Sequence, residues 1–361
     1  SESHVGATLS RAVFDRLKTL TNSALATLGP LIERRAGRDV PRDGHGDLRL
    51  EHVYLFPERP PPDDTVIVDC IEFNERFRHA DPIADMAFLA MDLALHGRSD
   101  LAPRFAESYL RASGDSEGQA LLPFYTAYRA AVRGKVEGLK LGEAEIPKPD
   151  RDLALTKARA RWLLALGSLE EPGRRPCVVL VGGLPGTGKS TLARAMAERA
   201  DFVVIRTDQV RKELAGVSEG DSAAGSFEEG IYSREWTERT YAECLRRAES
   251  SLFEGKRVLV DANFREEAKR RLFLDAAERW CVPAVLLICQ AGTSTVRERL
   301  ASRRGDASDA DWEIHRQAAE RWEEPADTTR AVIREIATDG SPERALSQAL
   351  DALRERGLWE P

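Results

Sequence analysis

The sequence has few of the features that mark secreted or membrane proteins. Its five cysteines, Cys70, Cys177, Cys244, Cys281 and Cys289, are widely spaced and form no C-x-x-C pair. Most of them lie inside apolar runs, so we predict reduced core residues. No apolar run approaches the length of a membrane span, since "VPAVLLIC" is only strand-sized, and no signal peptide is recognisable. We therefore expect a cytoplasmic protein that does not bind membranes.

An excess of basic residues is also missing. The formal net charge is −7, which argues against a dedicated nucleic-acid binder but leaves room for a local basic patch. Hydrophobic residues make up 42% and charged residues 31% of the chain, as is usual for a soluble globular protein. A length of 361 residues exceeds that of one ordinary core and predicts two domains.

The first domain is predicted to be mainly helical and to cover residues 1–167. Apolar residues recur at helical spacing near the start and again from Pro82 to about Leu166. Between these stretches, "HVYLF" and "TVIVDCIEF" predict two strands joined by the proline-rich "FPERPPPDD". The polar "SLEEPGRRP", residues 168–176, carries two prolines and is predicted to be the linker.

The second domain, residues 177–361, alternates predicted strands with predicted helices. The strand segments are "VVLV", "FVVIRTD", "RVLVDA", "PAVLLICQ" and "AVIREIAT". Such alternation predicts an α/β fold with a mostly parallel sheet and helices on both faces. The longest helix is predicted after the second of these strands, with Ser233 and Gly255 as its caps.

A glycine-rich turn follows the first of these strands. The segment "GLPGTGKS" fits the phosphate-loop pattern G-x-x-x-x-G-K-[ST], and it stands between an apolar strand and a helical stretch. In such a loop, backbone N–H groups surround a β-phosphate, the lysine reaches the β- and γ-phosphates and the serine hydroxyl binds magnesium. A chance turn opening a dinucleotide-binding helix is the alternative, and the lysine-serine pair disfavours it. The predicted nucleotide-binding residues are Gly183, Leu184, Pro185, Gly186, Thr187, Gly188, Lys189, Ser190 and Thr191.

The bound phosphate has three conceivable fates: hydrolysis as a switch, hydrolysis driving motion, or transfer to an acceptor. A GTPase switch requires an N-K-x-D motif, which the sequence lacks. An AAA-type motor requires an acidic pair at the end of its second core strand, whereas Asp261 is followed by alanine. The sequence therefore predicts phosphoryl transfer.

Two residues after the second strand are candidates for activating and binding the acceptor. Asp208 stands at the carboxyl edge of the predicted sheet, where ligands bind. A carboxylate there can accept the proton of an attacking hydroxyl, which is worth roughly 10²–10⁴-fold in rate. Arg211, one helical step further on, is predicted to hold the acceptor. The alternative is that Asp208 only caps the following helix.

Asp261 and an arginine-rich helix complete the predicted site. Asp261 ends an apolar strand, where a carboxylate can hold magnesium together with Ser190, although a structural aspartate is nearly as common there. The segment "VRERLASRR" places Arg299 and Arg303 on one helix face. An arginine closing over the γ-phosphate can contribute roughly 10³–10⁵-fold. We predict that one or two arginines of this segment act as a lid, and a solvated helix face is the alternative.

These motifs resemble those of the small P-loop kinases. Lys189-Ser190, "TDQVR", "VLVDANF" and "VRERLASRR" are similar to segments of gluconate kinase, adenylylsulfate kinase, zeta toxins and the kinase domain of polynucleotide kinases. The resemblance covers about Cys177 to Leu358. It implies Asp208 as the acceptor-side base, Arg211 as an acceptor contact and the arginine-rich helix as the lid.

The first domain carries a second set of motifs. "DGHGDLRLEHVYL" followed by "VIVDCIEFN" resembles the catalytic loop and metal-binding aspartate of aminoglycoside phosphotransferases. The resemblance covers about Asp43 to Leu166 and implies Asp47 as a base and Asp69 as a magnesium ligand. His52 stands where that family has a metal-binding asparagine, and only 44 residues precede His45. We therefore expect the carboxyl lobe alone, in a fragment of a two-domain bacterial protein.

The role of this first domain has several alternatives. A scaffold that binds a partner or contributes to the acceptor site is favoured over a second catalytic site. A metal site formed by His45, His52, Asp47 and Asp69 is a further alternative.

The function predicted for the whole chain is an ATP- and Mg²⁺-dependent kinase acting on a hydroxyl of a small molecule. A polynucleotide 5′-hydroxyl kinase has the same base and lid but requires a positive channel. A nucleotide-regulated sensor or scaffold without an acceptor is the alternative from a different class.

Overall fold

The computed structural model describes residues 2–98, 100–217, 230–302 and 311–360. The chain divides into an amino unit, Ser1–Glu170, and a carboxyl unit, Glu171–Pro361. The segment predicted as the linker contains the end of one helix and a short 3-10 turn, Pro172–Arg174. Among the described helices, none combines the length and the apolar character needed to cross a membrane.

The amino unit is mainly helical, as predicted. Among its described residues, small antiparallel pairs join β1 to β4 and β2 to β3, and the second pair contains the two strands predicted on either side of the proline-rich segment. Its elements are α1 (Arg11–Gly37), β1 (Arg42–Asp43), β2 (Val53–Leu55), β3 (Thr65–Ile67), α2 (Glu75–Arg78), β4 (His79–Ala80), α3 (Pro82–Leu95), α4 (Leu101–Ser113), α5 (Leu122–Leu139) and α6 (Lys148–Leu169).

Helix α3 forms the centre of the amino unit. Asp81 accepts a hydrogen bond from the Ile83 N–H and caps its start, and the helix is buried almost continuously from Ile83 to Asp92. The Asp81 carboxylate also pairs with the buried Arg35 guanidinium at 2.7 Å. Arg35 binds Asp115 at 2.6 Å as well. A buried cation with two hydrogen-bonded carboxylates ties α1 to the start of α3.

The carboxyl unit has an α/β architecture, as predicted. Within the described residues its parallel strands lie in the order β6-β7-β5-β8-β9. Its elements are β5 (Val178–Gly182), α7 (Lys189–Ala200), β6 (Phe202–Arg206), α8 (Thr207–Ala215), α9 (Arg234–Phe253), β7 (Arg257–Asp261), α10 (Glu267–Arg279), β8 (Ala284–Gln290), α11 (Thr293–Ser302), α12 (Trp312–Glu320), α13 (Asp327–Arg330), β9 (Ile333–Ala337) and α14 (Pro342–Arg354). This is the P-loop NTPase fold.

The sheet register brings the predicted motifs to one edge. On the central strand β5, Val181 lies beside Asp261 of β7, and Asp261 lies beside Arg206 of β6. Because the strands are parallel, their carboxyl ends, and the segments that follow them, meet at the same edge. Strand β5 is buried along its whole length, so this edge is held by a continuous apolar core.

Helix α9 ends where its sequence predicts. The Ser233 side chain accepts a hydrogen bond from the Trp236 N–H, and Gly255 has a φ of +69° just beyond the helix. The cysteine prediction is only partly right. All five are free; Cys177, Cys244 and Cys289 are buried and Cys281 is half-buried, but Cys70 is exposed. Cys70 lies just after the small β3 strand rather than in a packed core.

Candidate active site

The phosphate loop, Gly183–Ser190, joins the central strand β5 to helix α7. Gly183 has a φ of +136°, and a Cβ there would lie 2.6 Å from the Cys289 carbonyl oxygen. Gly186 has a φ of +81°, and its Cβ would lie 2.9 Å from Val296 Cγ1. At both positions a side chain is excluded by backbone conformation and by space. Gly186 therefore lets α11 pack directly against the loop.

Several loop carbonyls accept hydrogen bonds from side chains. The Leu184 carbonyl accepts from Thr187 Oγ1 at 2.8 Å and from Lys189 Nζ at 3.1 Å. The Gly183 N–H donates to the Asn263 carbonyl at 3.1 Å. Within the described residues, no acceptor lies in hydrogen-bond geometry with the Gly186 or Gly188 N–H. These amides can serve an anion.

The predicted lysine, serine and threonine open helix α7. Lys189 is its first residue, followed by Ser190 and Thr191. Gly188 stands at the N-cap with a left-handed φ of +84° and offers no side-chain acceptor. The first N–H groups of α7 are therefore left for a ligand, in a position where the helix dipole favours an anion.

Asp208 and Asp261 lie at the ends of adjacent strands. Asp261 is 5% exposed, and Arg206 Nε lies 3.4 Å from its Oδ2. Asp208 is in the first turn of α8, whereas the N-cap is Arg206, so Asp208 is not the helix cap. Burial, and secondly the charge of Asp261, raise the pKa of Asp208, while Lys189 and Arg211 act in the opposite direction. The pKa of Asp208 is thus influenced by Lys189, the lysine of the phosphate loop.

Arg211 lies beside Asp208 but binds the chain that leads into α9. Its guanidinium donates to the Ile231 carbonyl at 2.8 Å and to Thr237 Oγ1 at 3.2 Å. It also stacks against the Tyr232 ring, 5.2 Å from the centroid. Its Nε is buried with no partner among the described residues. The predicted acceptor contact therefore remains a prediction, since most of this side chain positions the segment before α9.

Arg299 reaches the phosphate loop from α11. Its Nη2 donates to the Thr338 carbonyl at 2.6 Å. Its Nη1 is buried without a partner among the described residues and lies 3.4 Å from the position of a Cβ built on Gly188. An unpartnered guanidinium nitrogen beside an anion-binding loop is suited to a phosphate oxygen. The second predicted lid residue, Arg303, lies outside the described residues.

Sequence reasoning missed several residues of this site. Thr338 Oγ1 lies 2.7 Å from the Thr187 carbonyl, and His315 Nδ1 lies 2.7 Å from the Pro185 carbonyl. Thr338 follows β9 at the ligand-binding edge of the sheet, so the strand-end rule offered a signal for it. His315 lies in the middle of α12, where no sequence pattern distinguishes it. Arg206 and Asn263, which contact Asp261 and Gly183, were also missed.

The loop at Asp47 in the amino unit has a different environment. Its backbone is held from α3, because the Asp85 carboxylate accepts from the N–H groups of His45 and Gly46 at 2.8 and 3.0 Å. The Asp47 carboxylate is paired with Arg49 at 2.8 Å, and Asp69 Oδ2 lies 3.3 Å from His52 Nε2. Asp47 and Asp69 are thus each engaged by a side chain of this loop.

The described residues provide no preformed metal cage. No group of three or more His, Cys, Asp or Glu side chains in those ranges is arranged to hold a metal ion. The metal site considered for His45, His52, Asp47 and Asp69 is therefore not present there as a cluster, and Arg49 supplies a physical reason because its guanidinium occupies the Asp47 carboxylate.

The chain is similar to one family model and to several known proteins. Residues 178–325 match a family model described as an AAA domain, and the carboxyl unit is a P-loop NTPase domain. The chain is 34% identical over 348 residues to an uncharacterized protein of Mycobacterium tuberculosis strain H37Rv, covering 96% of this chain and 66% of that protein. The chain thus spans just under two thirds of the length of this relative.

Two further similarities involve kinases. Over 133 residues the chain is 29% identical to a shikimate kinase of Rhodopirellula baltica, covering 36% of this chain and 66% of that protein. Among solved structures, a gluconokinase from Sinorhizobium meliloti 1021 matches with a TM-score of 0.36 and 17% identity, covering 50% of this chain and 93% of that chain.

Proposed function

We propose that the carboxyl unit is a kinase that transfers the γ-phosphate of ATP, with Mg²⁺, to a hydroxyl of a small molecule. The observation that carries the proposal is the pair Asp208 and Asp261 at adjacent strand ends beside the phosphate loop, with the pKa of Asp208 raised by burial and by Asp261. A base beside the loop is what transfer needs and what simple nucleotide binding does not.

The loop has the features that fit a nucleoside triphosphate. The unengaged Gly186 and Gly188 amides and the unpartnered Arg299 Nη1 provide donors that lack acceptors among the described residues. Of these donors Arg299 Nη1 is buried, and a buried donor is unfavourable unless an acceptor satisfies it. Lys189 is held only by the Leu184 carbonyl in the bonds described for its Nζ, a neutral acceptor that a phosphate oxygen can replace.

Magnesium fits the same edge of the sheet. Ser190 and Asp261 would hold the ion, which needs only one or two protein oxygens when phosphates and water supply the others. When bound, the ion neutralises charge on the β- and γ-phosphates.

In the proposed reaction, the acceptor hydroxyl attacks the γ-phosphorus as its proton passes to an Asp208 carboxylate oxygen. The bond from the γ-phosphorus to the bridging oxygen breaks, and ADP leaves. Lys189 and Arg299 stabilise charge on the phosphate oxygens, while Arg211 orders the wall before α9. Asp261 is followed by Ala262, so a second carboxylate that would activate water is missing, which favours transfer over hydrolysis.

The test is acceptor-dependent ADP release across sugars, aminoglycosides, nucleosides, shikimate-like hydroxy acids and 5′-hydroxyl oligonucleotides. We expect turnover with one acceptor class, lost in Lys189→Ala and Asp208→Ala, with ATP binding retained only in Asp208→Ala. Turnover confined to oligonucleotides would replace the small-molecule proposal by a polynucleotide kinase. ATP binding without acceptor dependence would overturn transfer and favour a nucleotide sensor.

A matched control comes from the amino unit. Asp47→Ala removes an aspartate of the second predicted site that is paired with Arg49. We expect its turnover to equal that of the native protein. Turnover that survives Lys189→Ala and disappears in Asp47→Ala would contradict the proposal and move the chemistry to the amino unit.

A further inference from the structure

Two residues outside the phosphate loop form hydrogen bonds to its carbonyl groups. His315 of α12 binds the Pro185 carbonyl at 2.7 Å, and Thr338, just after β9, lies 2.7 Å from the Thr187 carbonyl. A carbonyl only accepts, so His315 Nδ1 carries the proton and donates. We call His315 and Thr338 the outer clamp.

The planarity of the peptide group links these bonds to the ligand side of the loop. The Pro185–Gly186 and Thr187–Gly188 peptides are trans, so the C=O and N–H of each group point in opposite directions. A hydrogen bond that holds the Pro185 carbonyl toward His315 therefore points the Gly186 N–H in the opposite direction, toward the phosphate-binding side of the loop. Thr338 Oγ1 lies 2.7 Å from the Thr187 carbonyl and 2.8 Å from the Gln290 carbonyl, and its single proton is donated to one of them at a time. When it is donated to Thr187, Thr338 orients the Gly188 N–H in the same way.

Glycine makes such a restraint necessary. Gly186 and Gly188 have φ values of +81° and +84°, and a residue without Cβ leaves both neighbouring peptide planes free to rotate. The Gly186 and Gly188 N–H groups are among the loop amides for which the described residues provide no acceptor. Without an outer restraint, part of the population would turn an amide away from the phosphate.

Both clamp residues are themselves held in place. The His315 ring stacks on Trp312 with centroids 5.0 Å apart, and the Arg297 guanidinium lies 4.3 Å from the Trp312 centroid. Thr338 is 5% exposed, and its N–H donates to the Gln290 carbonyl at 2.8 Å. The side chains therefore have defined orientations before any ligand binds.

We propose that His315 and Thr338 are positioning residues that orient the Gly186 and Gly188 amides toward the β-phosphate of the bound nucleotide. The proposal rests on nucleotide binding by this loop, as given under the proposed function, and adds to it the two residues that prepare the loop. It requires neither residue to touch the nucleotide.

The experiment measures calorimetric affinity of the full chain for MgADP and for magnesium pyrophosphate. His315→Ala removes one donor, and Thr338→Val removes the other at nearly constant volume. We expect each change to lower the affinity for both ligands roughly tenfold, because the hydrogen bond from the loop amide to the charged phosphate is weakened. His315→Asn, whose amide nitrogen lies near the position of Nδ1, and Thr338→Ser retain a donor and should restore native affinity.

The controls separate positioning from folding. His96→Ala, at an exposed histidine of the amino unit, should leave both affinities unchanged. Affinities equal to native in both donor-removing variants would overturn the proposal while leaving nucleotide binding intact. Equal losses in donor-removing and donor-retaining variants would overturn it as well, because they would indicate a packing effect. A native protein that binds neither ligand would refute nucleotide binding and the clamp together.

Should His315→Ala fail to fold, Thr338→Val and Thr338→Ser still decide the question for the Gly188 amide. Thermal unfolding of each unliganded variant identifies that case. The clamp predicts a loss of phosphate affinity in a protein whose unliganded melting temperature stays near that of the native chain.

Discussion

Replacing Asp208 by asparagine separates catalysis from stability. The substitution preserves the shape of the side chain but removes the proton acceptor, so we expect acceptor-dependent kcat to fall roughly 10²–10⁴-fold. That loss corresponds to about 2.7–5.4 kcal/mol of transition-state stabilisation. Because burial and Asp261 raise the pKa of Asp208, ionising this carboxyl group costs more free energy in the folded protein than in the unfolded chain. Its removal should leave the melting temperature equal to or above the native value.

The assay combines coupled ADP detection with the best acceptor and differential scanning calorimetry. The affinity for MgATP should change little, since Asp208 acts on the acceptor side. A variant with native kcat would refute Asp208 as the base. A variant with lower kcat and a lower melting temperature would refute the electrostatic argument, because the carboxylate would then stabilise the fold.

Further predictions concern other parts of the site. In native protein, kcat/KM should rise with pH through the pKa of Asp208, at a pH above its ordinary value of 3.8, because the base works only when ionised. Asp261→Asn should move this rise to lower pH, because it removes a charge that raises the pKa of Asp208. A Mg²⁺ titration of turnover should also show a roughly tenfold higher Mg²⁺ requirement. Arg211→Gln should move the rise to higher pH, since a charge that lowers the pKa is lost; an unmoved profile in both would contradict the assignment. Gly183→Ala should lower the melting temperature markedly, because its Cβ would lie 2.6 Å from a backbone oxygen; a native melting temperature would refute the steric argument.

The fold could be predicted from local pattern to a large extent. Each strand of the carboxyl unit follows from a short apolar run bounded by turn residues, and α9 begins at Ser233 as its capping chemistry predicts. The phosphate loop was recognisable because its glycines, lysine and serine are close in sequence. Cys70 was wrongly predicted to be a core residue, because an apolar segment does not show whether other elements of the fold pack against it.

The arrangement of the site could be predicted only in part. The strand-end rule predicted that Asp208 and Asp261 lie at the ligand-binding edge of the sheet. The pairing of β6 with β7, which makes them neighbours, was not predicted. The partners of individual side chains did not follow. The acceptor contact of Arg211 stays a prediction, but its hydrogen bonds to Ile231 and Thr237 could not be predicted, because a long side chain binds whichever acceptors the folded chain brings within reach.

The sequence by itself determined the chemistry available to this protein: a phosphate loop and carboxylates at the ends of strands in a mostly parallel sheet. The tertiary structure alone decided which groups hold that loop. His315 is 130 residues from Pro185, and Thr338 is 151 residues from Thr187. A hydrogen bond between such distant residues leaves no periodicity or local motif, since it depends on how α12 and the end of β9 pack against the sheet.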